Sequence, residues 1–235
     1  MITYEGLLNH ITDIQALLGL TFQTPEYLVR AFVHASYLNE HKELDLQANE
    51  RLEFLGDAVL GLFVTEYLFL NFPERSEGEL SALKSQVISA ASCQKYIEKL
   101  GLAGFLLVGR GELVGGGFRS PSMLADLFEA LLGAIYLDAG YHKAKSFFYT
   151  HCRALMDAMI QSPPQNYKTA LQELAQKMHE PLPRYEVLEE KGRSHQKEFV
   201  IGVFIGEKCI GCGTGSNKRE AEQIAAQEAY RKLDI

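Results

Sequence analysis

The chain has 235 residues, 47% of them hydrophobic and 23% charged, which allows one large folded unit or two small ones of ordinary soluble composition. Four cysteines in a chain this long do not make a disulfide framework and point to a reducing cytoplasm. The net charge of −7 argues against nucleic acid as a partner only until it is located: residues 1–160 carry 12 basic and 19 acidic side chains, residues 161–235 carry 11 of each, so the excess acid is all N-terminal.

The opening MITYEGLLNH lacks the basic and then apolar order of a secretory signal, and the apolar runs are too short and too interrupted, as by Thr65 and Glu66, to span a membrane. Residues 5–18 have helical apolar spacing. Thr24-Pro25-Glu26 starts the next helix, with Thr24 as N-cap and Pro25 at the first helical position, running to about His34. His34 in AFVHASY reads as a hydrogen-bonded packing residue, and the polar segment Asn39–Ala48 as a loop.

That loop leads into NERLEFLGDAVLGLF, from Asn49 to Phe63, which continues as a helix and stops before Pro73. At about 100° per residue, Leu52, Leu55, Ala58, Val59 and Leu62 share an apolar face, while Glu50, Glu53 and Asp57 share a wedge roughly 60° wide beside Phe54 and Leu60. Crowded carboxylates beside apolar surface lose hydration and repel, a cost offset by a cation or by protonation. Oxygen ligands at this density suit a hard ion such as Mg²⁺ or Mn²⁺.

Residues 74–102 read as a helix capped by Ser76, with Glu77 and Glu79 in its first turn and Gly101 at its end. The glycine-rich GRGELVGGGFR lacks the ending of a phosphate-binding P-loop and follows no clear strand, so no nucleotide cofactor is expected and the stretch, Gly115–Gly117 included, is a flexible connection. Ser120-Pro121-Ser122 begins a helix ended by Gly140, apolar over most of its circumference, with Asp126 and Glu129 at i, i+3. Two acids on a buried helix need partners, and a cation shared with the Glu50–Asp57 stripe satisfies both clusters. A further helix from about Lys143 to Ile160 completes an all-α unit over residues 1–160.

A proline-containing linker, 161–166, precedes a change of character. Residues 167–235 read as α-β-β-β-α: a helix with Leu171, Leu174 and Met178 on one side, strands over Arg184–Glu190, Glu198–Gly206 and Lys208–Gly213, and a helix from Ser216 to Leu233. Cys209 and Cys212 fall in a strand, where an offset of three sends side chains to opposite faces, against metal or redox use. Thr169, Gln172 and Glu173 on the first helix, His195 in the polar loop, and Lys218 and Arg219 at the start of the last helix are the groups suited to the phosphates and 2′-hydroxyls of a duplex.

Three stretches, NERLEFLGDAVL, LADLFEALLGAIYLD and GTGSNKREAEQIAAQEA, resemble the bacterial ribonuclease III family, and the similarity runs essentially the whole length of the chain. The resemblance implies an all-helical endonuclease domain followed by a small α+β double-stranded-RNA-binding domain, acting in the cytoplasm as a homodimer that processes structured precursors of rRNA and mRNA. It implies hydrolysis of both strands to 5′-phosphate and 3′-hydroxyl ends with Mg²⁺, or Mn²⁺ in its place. Glu53, Asp57, Asp126 and Glu129 match the family's core metal-binding and catalytic acids, Glu50 and Glu77 its outer acids, and Phe54 an aromatic that enters a socket on the partner. GGGFRSPS departs from the more polar and basic stretch of the family. The competing expectation is a non-catalytic double-stranded-RNA-binding protein on the same fold, which predicts loss of a core acid.

Overall fold

Two helices cross with their backbones in contact, and the first folded unit is arranged around that crossing. They are α5 (Glu50–Asn71) and α9 (Pro121–Ile160) in a computed structural model that describes residues 2–114, 120–162, 166–191 and 197–233. A β-carbon added at Gly56 would stand 1.7 Å from the Glu129 carbonyl oxygen, and one at Gly133 would stand 2.3 Å from that of Leu52. Only glycine at both positions lets the helices approach this closely.

The core at the crossing is aromatic. Tyr96 of α7 (Ala90–Lys99) lies 5.1 Å from the Phe128 ring and 5.8 Å from that of Phe148, with Phe63 of α5 also fully buried. The buried face of α5 runs through Leu52, Gly56, Val59, Leu60, Phe63, Val64 and Leu68. The face expected from periodicity is rotated from this one: Leu62 and Ala58 are exposed and Leu55 only half-buried, because the side that meets α9 is set by Gly56.

The start of α5 is anchored by Asn49, which is 1% exposed; its N–H donates to the Val33 carbonyl and its side-chain amide to that of Ala31. Around this pair the predicted single helix over 5–18 is two, α1 (Tyr4–Asn9) and α2 (Ile11–Leu18), broken at His10. Helix α3 (Pro25–Ala31) stops short of His34. Residues Ala35–Glu40 form α4, so Asn39 and Glu40 are helical rather than loop. Thr24 stands at the N-cap but makes no side-chain cap bond, and the Asp138 carboxylate accepts from the Gln23 and Thr24 N–H groups just ahead of the helix.

The predicted helix over 74–102 is also two, α6 (Glu77–Val87) and α7, because the Ser89 hydroxyl caps a fresh start by accepting from the Ser92 N–H. Ser76 and Glu79 form a reciprocal capping box at the head of α6. Helix α8 (Arg110–Val114) follows, and the glycine-rich positions 115–117 lie outside the described residues. The span given as α9 is two helices meeting at a kink: Gly140, with φ 78° and ψ 176°, is not helical, so the first helix ends there as expected and a second runs on to Ile160.

The chain divides into two compact units, one of Met1–Arg75 with Leu83–Gln161 and another of Ser76–Ala82 with Ser162–Ile235. In the second, α10 (Tyr167–Lys177) precedes an antiparallel sheet of β1 (Arg184–Lys191), β2 (Glu198–Ile205) and β3 (Lys208–Gly215) in that order, closed by α11 (Lys218–Leu233). Its core is Leu171, Val203, Ala225, Ala226 and Ala229; Met178, expected beside Leu171, is exposed past the end of α10. Gly211, Gly213 and Gly215 alternate along β3 and lie against the α11 backbone, where any β-carbon would collide.

Cys209 and Cys212 share a face, contrary to expectation, with their sulfurs 3.8 Å apart. The register shifts between Val203 and Phe204, which pair with Gly211 and Cys209, so Ile210 is an extra residue that re-phases the strand.

Candidate active site and RNA-binding groove

Glu53 stands on α5, and Asp126 and Glu129 stand one turn apart on α9. The crossing at Gly56 brings a carboxylate oxygen from each within 4.8 Å of the other two. All three residues are half-buried, and among the described residues no lysine or arginine pairs with any of them. Burial is the first consequence. It pushes Glu129 up to about 8, with the charges of Asp57, Asp126 and Glu53 adding to the shift and a hydrogen bond from Cys93 opposing it. Glu53 is raised by burial and then by Asp126, Glu50 and Asp57.

Asp126 is also raised by burial, while His34 and a backbone hydrogen bond act in the opposite direction. The His34 ring caps α4, its Nδ1 accepting from the Ser36 N–H at 3.2 Å, so it is both a packing residue and an electrostatic neighbour of the acids. The fully buried Cys93 thiol approaches Glu129 Oε1 at 3.9 Å.

Asp57 is exposed and lies outside the close trio, yet its charge acts on both Glu53 and Glu129. Glu50 is exposed at the head of α5 and acts on Glu53. Glu77 is exposed, its Oε1 accepting from the Ser81 hydroxyl at 2.8 Å, and belongs to the segment grouped with the second unit. Gly56, Gly133, Asn49 and His34 were not read from the sequence as parts of the site. The signal for the two glycines was their place inside two otherwise strong helices, one residue from Asp57 and one turn from Glu129.

The donor set fits a hard divalent cation: three carboxylates, half-buried, mutually repelling and without a basic partner. Protonation of Glu129 is what relieves the repulsion when no cation is present.

A second polar surface lies in the C-terminal unit. Thr169, Gln172 and Arg219 line one groove together with Asn166, Lys168 and Gln223. Helices α10 and α11 are held across it by Lys168 Nζ on Glu222 Oε2 at 2.6 Å and by the Tyr167 N–H on Gln223 Oε1 at 3.0 Å. Lys218 is exposed in the first turn of α11, its ammonium 5.7 Å from the centre of the Phe199 ring. The Glu173 side chain and all of His195 lie outside the described residues.

Residues 24–155 match the family model described as "Ribonuclease-III-like" and residues 167–233 the one described as "Double-stranded RNA binding motif". The chain belongs to the ribonuclease III family. Its similarity to "Ribonuclease 3" of Protochlamydia amoebophila is 44% identity over 231 residues, covering 98% of this chain and 95% of that one. "Ribonuclease 3" of Oceanobacillus iheyensis is 44% identical over 224 residues, covering 95% of this chain and 98% of that one. Among solved structures, a nuclease domain of ribonuclease III from Campylobacter jejuni matches at 38% identity with a TM-score of 0.56. It covers 61% of this chain and 96% of that one, and its description concerns structural flexibility in the region involved in dimer formation. The ribonuclease III match contains all of α5 and the part of α9 that carries Asp126 and Glu129. The helical nuclease fold and the three-stranded α+β module are those expected of the family.

Proposed function

We propose that the chain is an endoribonuclease that hydrolyses both strands of double-stranded RNA as a homodimer, in a reaction dependent on a divalent cation held by Glu53, Asp57, Asp126 and Glu129. The observation that carries this reading is the convergence of Glu53, Asp126 and Glu129 oxygens within 4.8 Å on half-buried helix faces. A hard divalent ion, Mg²⁺ or in its place Mn²⁺, supplies Lewis-acid polarisation of the phosphate and a lowered pKa for a bound water. These residues would hold the cation, whose positive charge would offset the mutual repulsion of their carboxylates. Burial and the neighbouring carboxylates raise Glu129 to about 8, so holding the ion would require release of its proton, and Asp57, the more exposed acid, would complete the ligand set. Glu50 and Glu77 serve as outer acids.

The chain divides on this reading into a nuclease domain over 1–160, a linker over 161–166 and an RNA-binding domain over 167–235, a division supported by family matches over 24–155 and 167–233. In that last domain the Thr169 hydroxyl, the Gln172 amide and the Arg219 guanidinium present groups suited to 2′-hydroxyls and phosphates along one groove. Lys218, with Glu173 and His195, extends this surface. Binding then depends on duplex shape more than on sequence.

The homodimer rests on an apolar stripe of α5 left uncovered in the single chain: Phe54 is 83% exposed, Leu62 51% and Phe69 70%, within an arc of roughly 100°. Structured precursor RNAs in the cytoplasm are the substrates this reading implies, and no helix among the described residues is long and apolar enough to cross a membrane.

The test is incubation with a long RNA duplex, with and without Mg²⁺. Wild-type protein cuts only with the ion, while Glu129→Ala and Asp57→Asn do not cut yet still shift the duplex in Ca²⁺. Cutting by either variant at the wild-type rate overturns the assignment.

A further inference from the structure

The bulge at Ile210 produces a second ligand pair that the two functional surfaces do not use. Cys209 and Cys212 are both exposed, on the sheet face turned away from α10 and α11, and their sulfurs are 3.8 Å apart with neither in a disulfide. Without the extra residue the two thiols would face opposite sides of the sheet. The same spacing discriminates between the fates open to such a pair. Two thiolates at about 2.3 Å from one tetrahedral ion stand about 3.8 Å from each other, so cation binding needs no movement of the strand. A disulfide needs its sulfurs at about 2.05 Å, well inside the present 3.8 Å, so oxidation would have to draw the two side chains together where cation binding would not.

The surroundings favour a cation as well. The Glu228 carboxylate of α11 reaches the same edge, accepting from the Cys212 N–H at 2.7 Å, with its other oxygen on Lys232 Nζ at 2.6 Å. Among the described residues the acidic trio is the only set of three candidate ligands within 4.8 Å of one another, so the thiol pair has two protein ligands and open positions for water. Its sulfur donors also separate it chemically from the acidic site. Thiolates select zinc-class ions, and carboxylates select magnesium-class ions.

We propose that Cys209 and Cys212 form an exchangeable two-thiolate clip for one zinc-class divalent cation on the β2–β3 hairpin, with water filling the remaining positions. Binding releases two protons, one from each thiol, and creates two metal–sulfur bonds with no change of oxidation state. The bound ion ties the bulged start of β3 into its present register, where Gly211 meets the backbone of α11. This makes the clip a structural site, independent of RNA cleavage.

The experiment is a Cd²⁺ titration of the reduced, full-length protein in excess Mg²⁺, followed by the ultraviolet thiolate-to-cadmium charge-transfer band. The band saturates at one ion per chain, is displaced by Zn²⁺, and is lost in Cys209→Ser and in Cys212→Ser. Circular dichroism matching the wild type shows that the loss is not unfolding. Carboxylate-bound cadmium gives no such band, and cadmium reaching Cys93 beside Glu129 would leave the band intact in both cysteine variants, so the two sites are told apart. The absence of a band, a band surviving in the Cys209→Ser/Cys212→Ser double variant, or loss of two hydrogens in place of ion uptake each overturns the proposal.

Discussion

Gly56→Ala tests whether the acids are brought together by the backbone crossing. The new β-carbon would lie 1.7 Å from the Glu129 carbonyl oxygen, and real β-carbons do not approach closer than 3.0 Å, so α5 and α9 must part by at least 1.3 Å at that point. Overpacking of this kind costs about 3 kcal/mol or more, because both colliding groups belong to helix backbones and neither can rotate away. The displaced carbonyl belongs to Glu129 itself, so the carboxylate trio opens, and a misplacement near 1 Å costs about 10²-fold in rate. Gly133→Ala provides the graded comparison: its β-carbon would be 2.3 Å from the Leu52 carbonyl oxygen, requiring a shift of 0.7 Å. It should cost about 1–2 kcal/mol and roughly tenfold in rate. Gly104→Ala has nothing within 4 Å and should lie within about 0.5 kcal/mol of wild type. Chemical denaturation and single-turnover cleavage of an RNA duplex, at a temperature where each variant is folded, give both quantities. Wild-type stability and rate in Gly56→Ala, or a larger effect from Gly104→Ala, would refute the reasoning.

Glu129, raised to about 8 in the fold, contributes stability that is fully present below its unfolded value near 4.5 and is lost as pH rises through 8. Metal-free wild type should therefore lose about 1–2 kcal/mol relative to Glu129→Gln between pH 5 and pH 9, allowing for solvent screening, and saturating Mg²⁺ should remove the difference. Equal pH profiles in thermal melts would show that the carboxylates do not repel. Below pH 8 the apparent Mg²⁺ affinity for cleavage should strengthen as pH rises, because the ion displaces the Glu129 proton; a flat dependence contradicts this. Lys218→Ala with Arg219→Ala should weaken duplex binding and reduce the slope of log affinity against log salt by about 1–2, and an unchanged slope removes the pair from the interface. Phe54→Asp should shift the protein from dimer to monomer in sedimentation, whereas a dimer of unchanged affinity would place the interface elsewhere.

The acidic trio was legible because helical periodicity fixes which side chains share a face, and Glu53, Asp126 and Glu129 all lie on long helices where that rule holds. What periodicity lacks is the rotation of each face toward its neighbour. It assigns Leu62 to the core, but Gly56 sets the side of α5 that meets α9, leaving Leu62 51% exposed. The break at Ser89 depends on a single hydroxyl caught by the Ser92 N–H, a local choice that an apolar pattern does not record. The cysteine pair shows the same limit in a strand: period two separates Cys209 from Cys212, and one extra residue opposite β2 reunites them. The strands and the final helix were readable because alternation, the glycines of GCGTG and the alanine face of α11 all require the same packing.

The central claim is that carboxylates from α5 and α9 share one divalent cation, and Mn²⁺ binding to the metal-free protein, followed by electron paramagnetic resonance, tests it most directly. Wild type should bind Mn²⁺ tightly at the trio. Glu53→Gln, Asp126→Asn and Glu129→Gln should each lose that binding and lose cleavage in parallel. Mn²⁺ uptake that is unchanged in all three variants, or cleavage that persists after it is lost, would contradict the account.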